Sequence, residues 1–218
     1  MLDSYKQVLQ SSKQKLLELV CDIKDALQLC IDASLEHDIE KAKKARSILK
    51  NSHSKSNKID NSIIETLALF SPEAKDLRVI VSHLKITSEL SRVSDYVKSY
   101  AKKISLQIEI DSKIIQDDMR LLLQSTLNSL DIASRSIETE SLQELEELYG
   151  DVNIEESRCD DLISVVQKTL LQHIRSVEEV EDLISFTKTL RKLERISDRS
   201  VKIVNLSYFA QKGGKLKL

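Results

Sequence analysis

The fold class this sequence predicts is all-α: two pseudo-symmetric three-helix bundles, each with a short extra helix. Three observations carry that expectation. Helix breakers are scarce, since 218 residues hold three Gly, one Pro and no Trp, with aromatics at 4%, whereas a sheet protein needs turn residues throughout. Apolar residues recur at spacings of three and four along most of the chain, which is one buried face of a helix. The pattern then runs twice, in the order long, short, medium, long, with a shift of about 100 residues between copies.

The first long helix spans Leu2 to about Ala33, with Leu2, Tyr5, Leu9, Ser12, Leu16, Ile23, Ala26 and Cys30 on its stripe. Asp38 to Leu49 reads as a short, Lys- and Ala-rich helix, and Ser54 to Phe70 as a medium one carrying Ser56, Ile59, Ile63, Thr66 and Phe70. Ser71-Pro72-Glu73 starts the next: Ser caps, Pro takes the first helical position, and an acid follows in the first turn. That helix runs through Leu77, Ile80, Leu84, Thr87, Ser91 and Ser94 to about Ile104. Ser105 to Asp111 is the junction, dividing the chain into repeats at 1–106 and 107–218. In the second repeat, Lys113 to Ile137 is long and Ser141 to Tyr149 short, with Gly150 as its C-cap. Asn153 to Ile174 carries Val152, Glu156, Cys159, Ile163, Val166 and Leu170, and Ser176 to Ala210 closes the fold ahead of a loose QKGGKLKL tail.

Composition excludes several classes of function. A net charge of −2 lacks the clustered basic excess of a nucleic-acid binder, and Lys41, Lys43, Lys44 and Arg46 read as a solvated helix face. No run approaches a membrane span, and Met1 to Ser12 is too polar for a signal peptide. A cytoplasmic location is therefore expected. Cys21, Cys30 and Cys159 are odd in number and lack Cys-x-x-Cys spacing, which fits reduced thiols packed in a core.

The chemistry concentrates in carboxylates. Leu183, Leu190, Val201, Val204 and Tyr208 mark one face of the last helix, with Glu194 placed on it and Asp198 one turn further on. Four helices carry an i, i+4 motif ending in Asp: Ser56 with Asp60, Ser91 with Asp95, Glu156 with Asp160, and Glu194 with Asp198. Only the second repeat keeps both acids. If its two helices pack antiparallel, four carboxylates surround one space, and their repulsion raises their proton affinities unless a cation sits between them. Oxygen donors suit iron, manganese or magnesium better than zinc. Ion pairing is the alternative, because Arg191 stands at i−3 from Glu194 and Lys202 at i+4 from Asp198.

The stretch SPEAKDLRVIVSHLKITSELSRVSDYV, answered about 100 residues on by LRKLERISDRSVKIV, resembles the PhoU family of phosphate-signalling regulators over nearly the whole chain. The resemblance implies a PhoU-like fold of two three-helix repeats with E(D)xxxD motifs, through which some members bind multinuclear iron or other metal clusters. It further implies a non-enzymatic protein that restrains phosphate uptake genes, partnered by the ATPase subunit of a phosphate ABC transporter and a phosphate-sensing histidine kinase. A homodimer is compatible with this. Carried over by position, Glu156, Asp160, Glu194 and Asp198 form a complete metal motif. Asp60 and Asp95 match the second positions of the first repeat, where Ser56 and Ser91 replace the usual acids, so that site binds metal more weakly or not at all. Glu89 could lend a carboxylate there, and Ser94 and Ser197 stand where the family has Gly.

Enzymatic readings find little support. None of His37, His53, His83 and His173 follows Glu at the spacing of di-iron oxidases, and no Gly-rich phosphate loop or nucleophilic triad pattern occurs. A metal-free helical interaction module is the alternative function.

Overall fold

The computed structural model describes residues 2–70, 72, 74–104, 113–173 and 177–214. Ser71 and Glu73 of the expected cap, the 105–111 junction, Ile174, Ser176 and residues 215–218 lie outside them, as do the side chains of Leu2, Tyr5 and Leu183. Every regular element among the described residues is helical. They are α1 (Leu2–Glu36), α2 (Ile39–Ile48), a 3-10 turn (Leu49–Asn51), α3 (Ser52–Leu69), α4 (Ala74–Ile104), α5 (Lys113–Glu138), α6 (Leu142–His173) and α7 (Val177–Lys212).

Side-chain pairs fix the directions of α1, α3, α4, α5 and α7. Ser12 meets His83 and Ser34 meets Tyr100, so α1 and α4 run parallel. Ser52 meets Lys98 and His53 meets Asp95, so α3 returns antiparallel beside α4. In the second half Ser136 meets Ser207 and Thr139 meets Gln211, repeating the parallel arrangement between α5 and α7. Lys13 with Glu140 and Lys24 with Asp131 run α1 against α5. Glu89 with Arg199 and Ser99 with Lys192 run α4 against α7. The halves thus pack side to side in opposite directions, and one hydrophobic core draws on both, from Leu16, Ile23 and Leu90 to Leu130, Val166 and Leu193.

The expected separate short helix of the second repeat is instead the first part of α6. Leu145, Leu148, Val152, Cys159, Ile163, Val166 and Leu170 form one unbroken buried stripe, and Gly150 lies on the exposed face, inside the helix. A buried seam that continues through a position overrides the local preference of an exposed Gly. The first repeat breaks where expected: Asp38 caps α2 by accepting from the Glu40 and Lys41 amides at 2.9 and 3.2 Å. Cys30 and Cys159 are buried as expected, but Cys21 is exposed because it faces away from the stripe of Val20 and Ile23.

Candidate metal centre

α6 and α7 place the four second-repeat acids at the edge of their seam rather than in its centre. On α7 the buried line runs Leu190, Leu193, Ser197, Ser200, Val204. Glu194 and Asp198 each stand one residue past that line, about 100° round the helix, so they are half-buried. Glu156 is likewise half-buried, and Asp160 is exposed.

Three of the four, Asp160, Glu194 and Asp198, nevertheless share one space. A cleft of about 460 Å³ is lined by Asp160, Glu194 and Asp198, with Ile163, Ser164, Gln167, Arg191 and Arg195. Burial raises the proton affinity of Glu156, and the charges of Asp160, Asp198 and Glu194 raise it further. Glu194 is raised by burial and then by Asp198 and Asp160, against opposition from Arg191 and Arg195. Asp198 is raised by burial and by Asp160, against Lys202, Arg199 and Arg195. Three of the four acids are therefore held at a cost that a cation would relieve.

The ion pairs that would have relieved it do not form. Among the described residues neither Arg191 with Glu194 nor Lys202 with Asp198 comes within salt-bridge distance. Nor are any three His, Cys, Asp or Glu side chains among the described residues gathered tightly enough to hold a metal as they stand. The donor chemistry of the cleft fits a hard cation; closing on one requires its carboxylates to rotate inward.

The first-repeat positions arrange themselves differently. Ser56 is buried, its hydroxyl donated to the Ser52 carbonyl at 3.1 Å. Asp60 lies beside Thr87, with Oδ1 buried and unpartnered, and burial raises its proton affinity. Asp95 is exposed and bonded to His53 and Lys98. Glu89 does not turn toward them: it pairs with Arg199 across the α4/α7 interface. Lys98 at i+3 from Asp95 is readable in the sequence, whereas His53 reaches Asp95 only through the antiparallel packing of α3 on α4.

Comparisons with known proteins follow the same lines. A family model described as the PhoU domain matches residues 16–104. The chain is 26% identical over 197 residues to "Phosphate-specific transport system accessory protein PhoU homolog 1" of Methanothermobacter thermautotrophicus, covering 84% of this chain and 82% of that protein. It is 23% identical over 164 residues to "Phosphate-specific transport system accessory protein PhoU homolog 2" of Thermotoga maritima, covering 71% and 65%. Among solved structures, the phosphate transport system regulatory protein from Streptococcus pneumoniae shares the fold at a TM-score of 0.82, with 16% identity over 98% of this chain and all of the other. A Pseudomonas aeruginosa structure does so at 0.76, with 22% identity and 98% of each chain covered.

Proposed function

We propose that the chain is a member of the PhoU family that regulates phosphate uptake and signalling, with a metal cation held in its second repeat. The ligands are Glu156, Asp160, Glu194 and Asp198, and the ion is divalent or trivalent: iron, manganese or magnesium ahead of zinc. One observation supports this above the others: Glu194 and Asp198, with raised proton affinity, line a common cleft with Asp160 and act on Glu156 by charge, and none of the four has an ion-pair partner among the described residues. Bound there, the ion would supply positive charge that fixes α6 against α7 and gives a partner protein a rigid surface.

The protein acts as a non-enzymatic adaptor in the cytoplasm, built from repeats at 1–106 and 107–218. Its partners are the ATPase subunit of a phosphate ABC transporter and a phosphate-sensing histidine kinase. Among the described residues no helix is long and apolar enough to cross a membrane, which is consistent with meeting such partners from one side. That the carboxylates are not already closed around a point favours a second reading, in which the chain is a metal-free helical interaction module.

Metal content of protein purified without chelator separates the two. The metal reading expects bound iron or manganese in the wild type and its loss in Glu156→Ala and Glu194→Ala at unchanged helical content. A wild type that stays metal-free after incubation with Fe²⁺ and Mn²⁺ establishes the second reading. Co-purification with transporter ATPase or sensor kinase tests the adaptor role, and recovery of neither argues against it.

A further inference from the structure

We infer that the first repeat carries a built-in cation where a metal would sit: the Lys98 ammonium, joined by the His53 imidazole, occupies Asp95 and closes the α3/α4 seam, leaving metal uptake to the second repeat alone. Only that last clause rests on the metal reading proposed above. The clasp stands on its own geometry.

Lys98 Nζ lies 2.8 Å from Asp95 Oδ1 and also donates to Ser52 Oγ at 3.2 Å. His53 Nε2 lies 3.0 Å from the same Asp95 oxygen. With Nε2–H donated there, Nδ1 of the neutral ring is free to accept the Ser91 hydroxyl at 3.2 Å. Two donors from opposite helices thus converge on one carboxylate oxygen, and the hydroxyl that replaced the motif's first acid completes the chain. A metal ion entering here would have to displace an ammonium and an imidazole.

The remaining donors offer it little in exchange. Asp60 is a single carboxylate one stretch along the seam, and Ser56 gives its hydroxyl proton to the Ser52 carbonyl. A hard cation needs several charged oxygens at once. By the shift of about 100 residues that relates the repeats, the clasp residues Ser52, His53 and Lys98 correspond to Val152, Asn153 and Val201. None of these can serve as a cation. The first repeat therefore pairs its acid within the chain, whereas in the second Arg191, Arg195 and Lys202 offset the acids only in part, without pairing, and leave room for an external ion.

Two measurements test this. In EDTA, thermal midpoints of Asp95→Asn, Lys98→Met and the double variant form a mutant cycle. The clasp predicts a drop for each single change and a double variant no worse than the poorer single one; additive losses would overturn it. Titration with Mn²⁺, read by electron paramagnetic resonance, then counts bound ions per chain. The expected count is equal in wild type and Asp95→Asn and abolished in Glu194→Ala/Asp198→Ala, while loss of an equivalent in Asp95→Asn would overturn the assignment to the second repeat. A wild type that binds no Mn²⁺ defeats the metal reading, and the cycle in EDTA still decides the clasp. Replacing Ser56 and Ser91 with Glu, His53 with Asn and Lys98 with Val should create one additional Mn²⁺ site.

Discussion

His83 shows what a single buried polar residue does in this bundle. Its ring is enclosed between α1 and α4, and Ser12, which gives its own proton to the Leu9 carbonyl at 2.8 Å, is left to accept from His83 Nδ1 at 2.7 Å. Burial, with Lys13 adding, pushes the imidazole from 6.5 down to about 4. The unfolded chain therefore binds a proton that the folded one refuses between those values, and stability is lost as pH falls from about 6.5 to 4. The full effect is about 3 kcal/mol. His83→Leu should flatten that part of the stability-against-pH curve, measured by urea unfolding at a series of pH values; an unchanged slope would place the titration elsewhere. The cleft acids behave oppositely, being repulsive where they stand. Glu194→Gln should stabilise the metal-free protein by roughly a few tenths of a kcal/mol, the cost of like charges one helical turn apart, and destabilise the metal-loaded form, as melting with and without Mn²⁺ will read.

At the scale of elements, the two glycines of α6 and α7 have opposite roles. Gly150 sits in mid-helix on the solvent side, where an added Cβ would find nothing within 4 Å. Gly150→Ala should therefore raise stability by about 1 kcal/mol through helix propensity alone. Gly213 ends α7 at φ +78°, and a Cβ there would stand 3.2 Å from the Arg78 guanidinium. Gly213→Ala should cost about 1 kcal/mol, and thermal melts of the two variants should move apart. The same contrast explains what the sequence disclosed about the helices. Spacing locates α1, α4, α5 and α7, and the start of α2 at Asp38 is legible because capping chemistry is local. The break expected at Gly150 is absent because a Gly marks only a possible end, while the buried run from Leu145 to Leu170 that carries α6 past it is a tertiary fact. Cys21 departs from expectation for a related reason: it lies among apolar residues in sequence but off the packed face.

For the whole molecule, the decisive contact is that of α4 on α7. Glu89 and Arg199 pair there with little exposure, and the Arg199 guanidinium lies 5.7 Å from the Tyr96 ring centroid. Removing one member strands the other charge, so Arg199→Met should cost about 3 kcal/mol, with Glu89→Gln/Arg199→Met recovering part of the loss in chemical denaturation. Sequence reading sets Glu89 near the first motif but does not predict that the opposite repeat claims it. Its expectation that antiparallel return would turn the two acid pairs toward one space is met by Asp160, Glu194 and Asp198, which line one cleft. It does not foresee that they sit at the seam's edge, or that His53 crosses to Asp95, because both depend on how each helix is rotated against its neighbour. The proposed function depends on a cation completing the second repeat. Anomalous diffraction from crystals grown with Mn²⁺ decides it: a peak is expected between α6 and α7 within ligand distance of Glu156, Asp160, Glu194 and Asp198, with none between α3 and α4, and an empty α6/α7 cleft at saturating Mn²⁺ would overturn the metal reading.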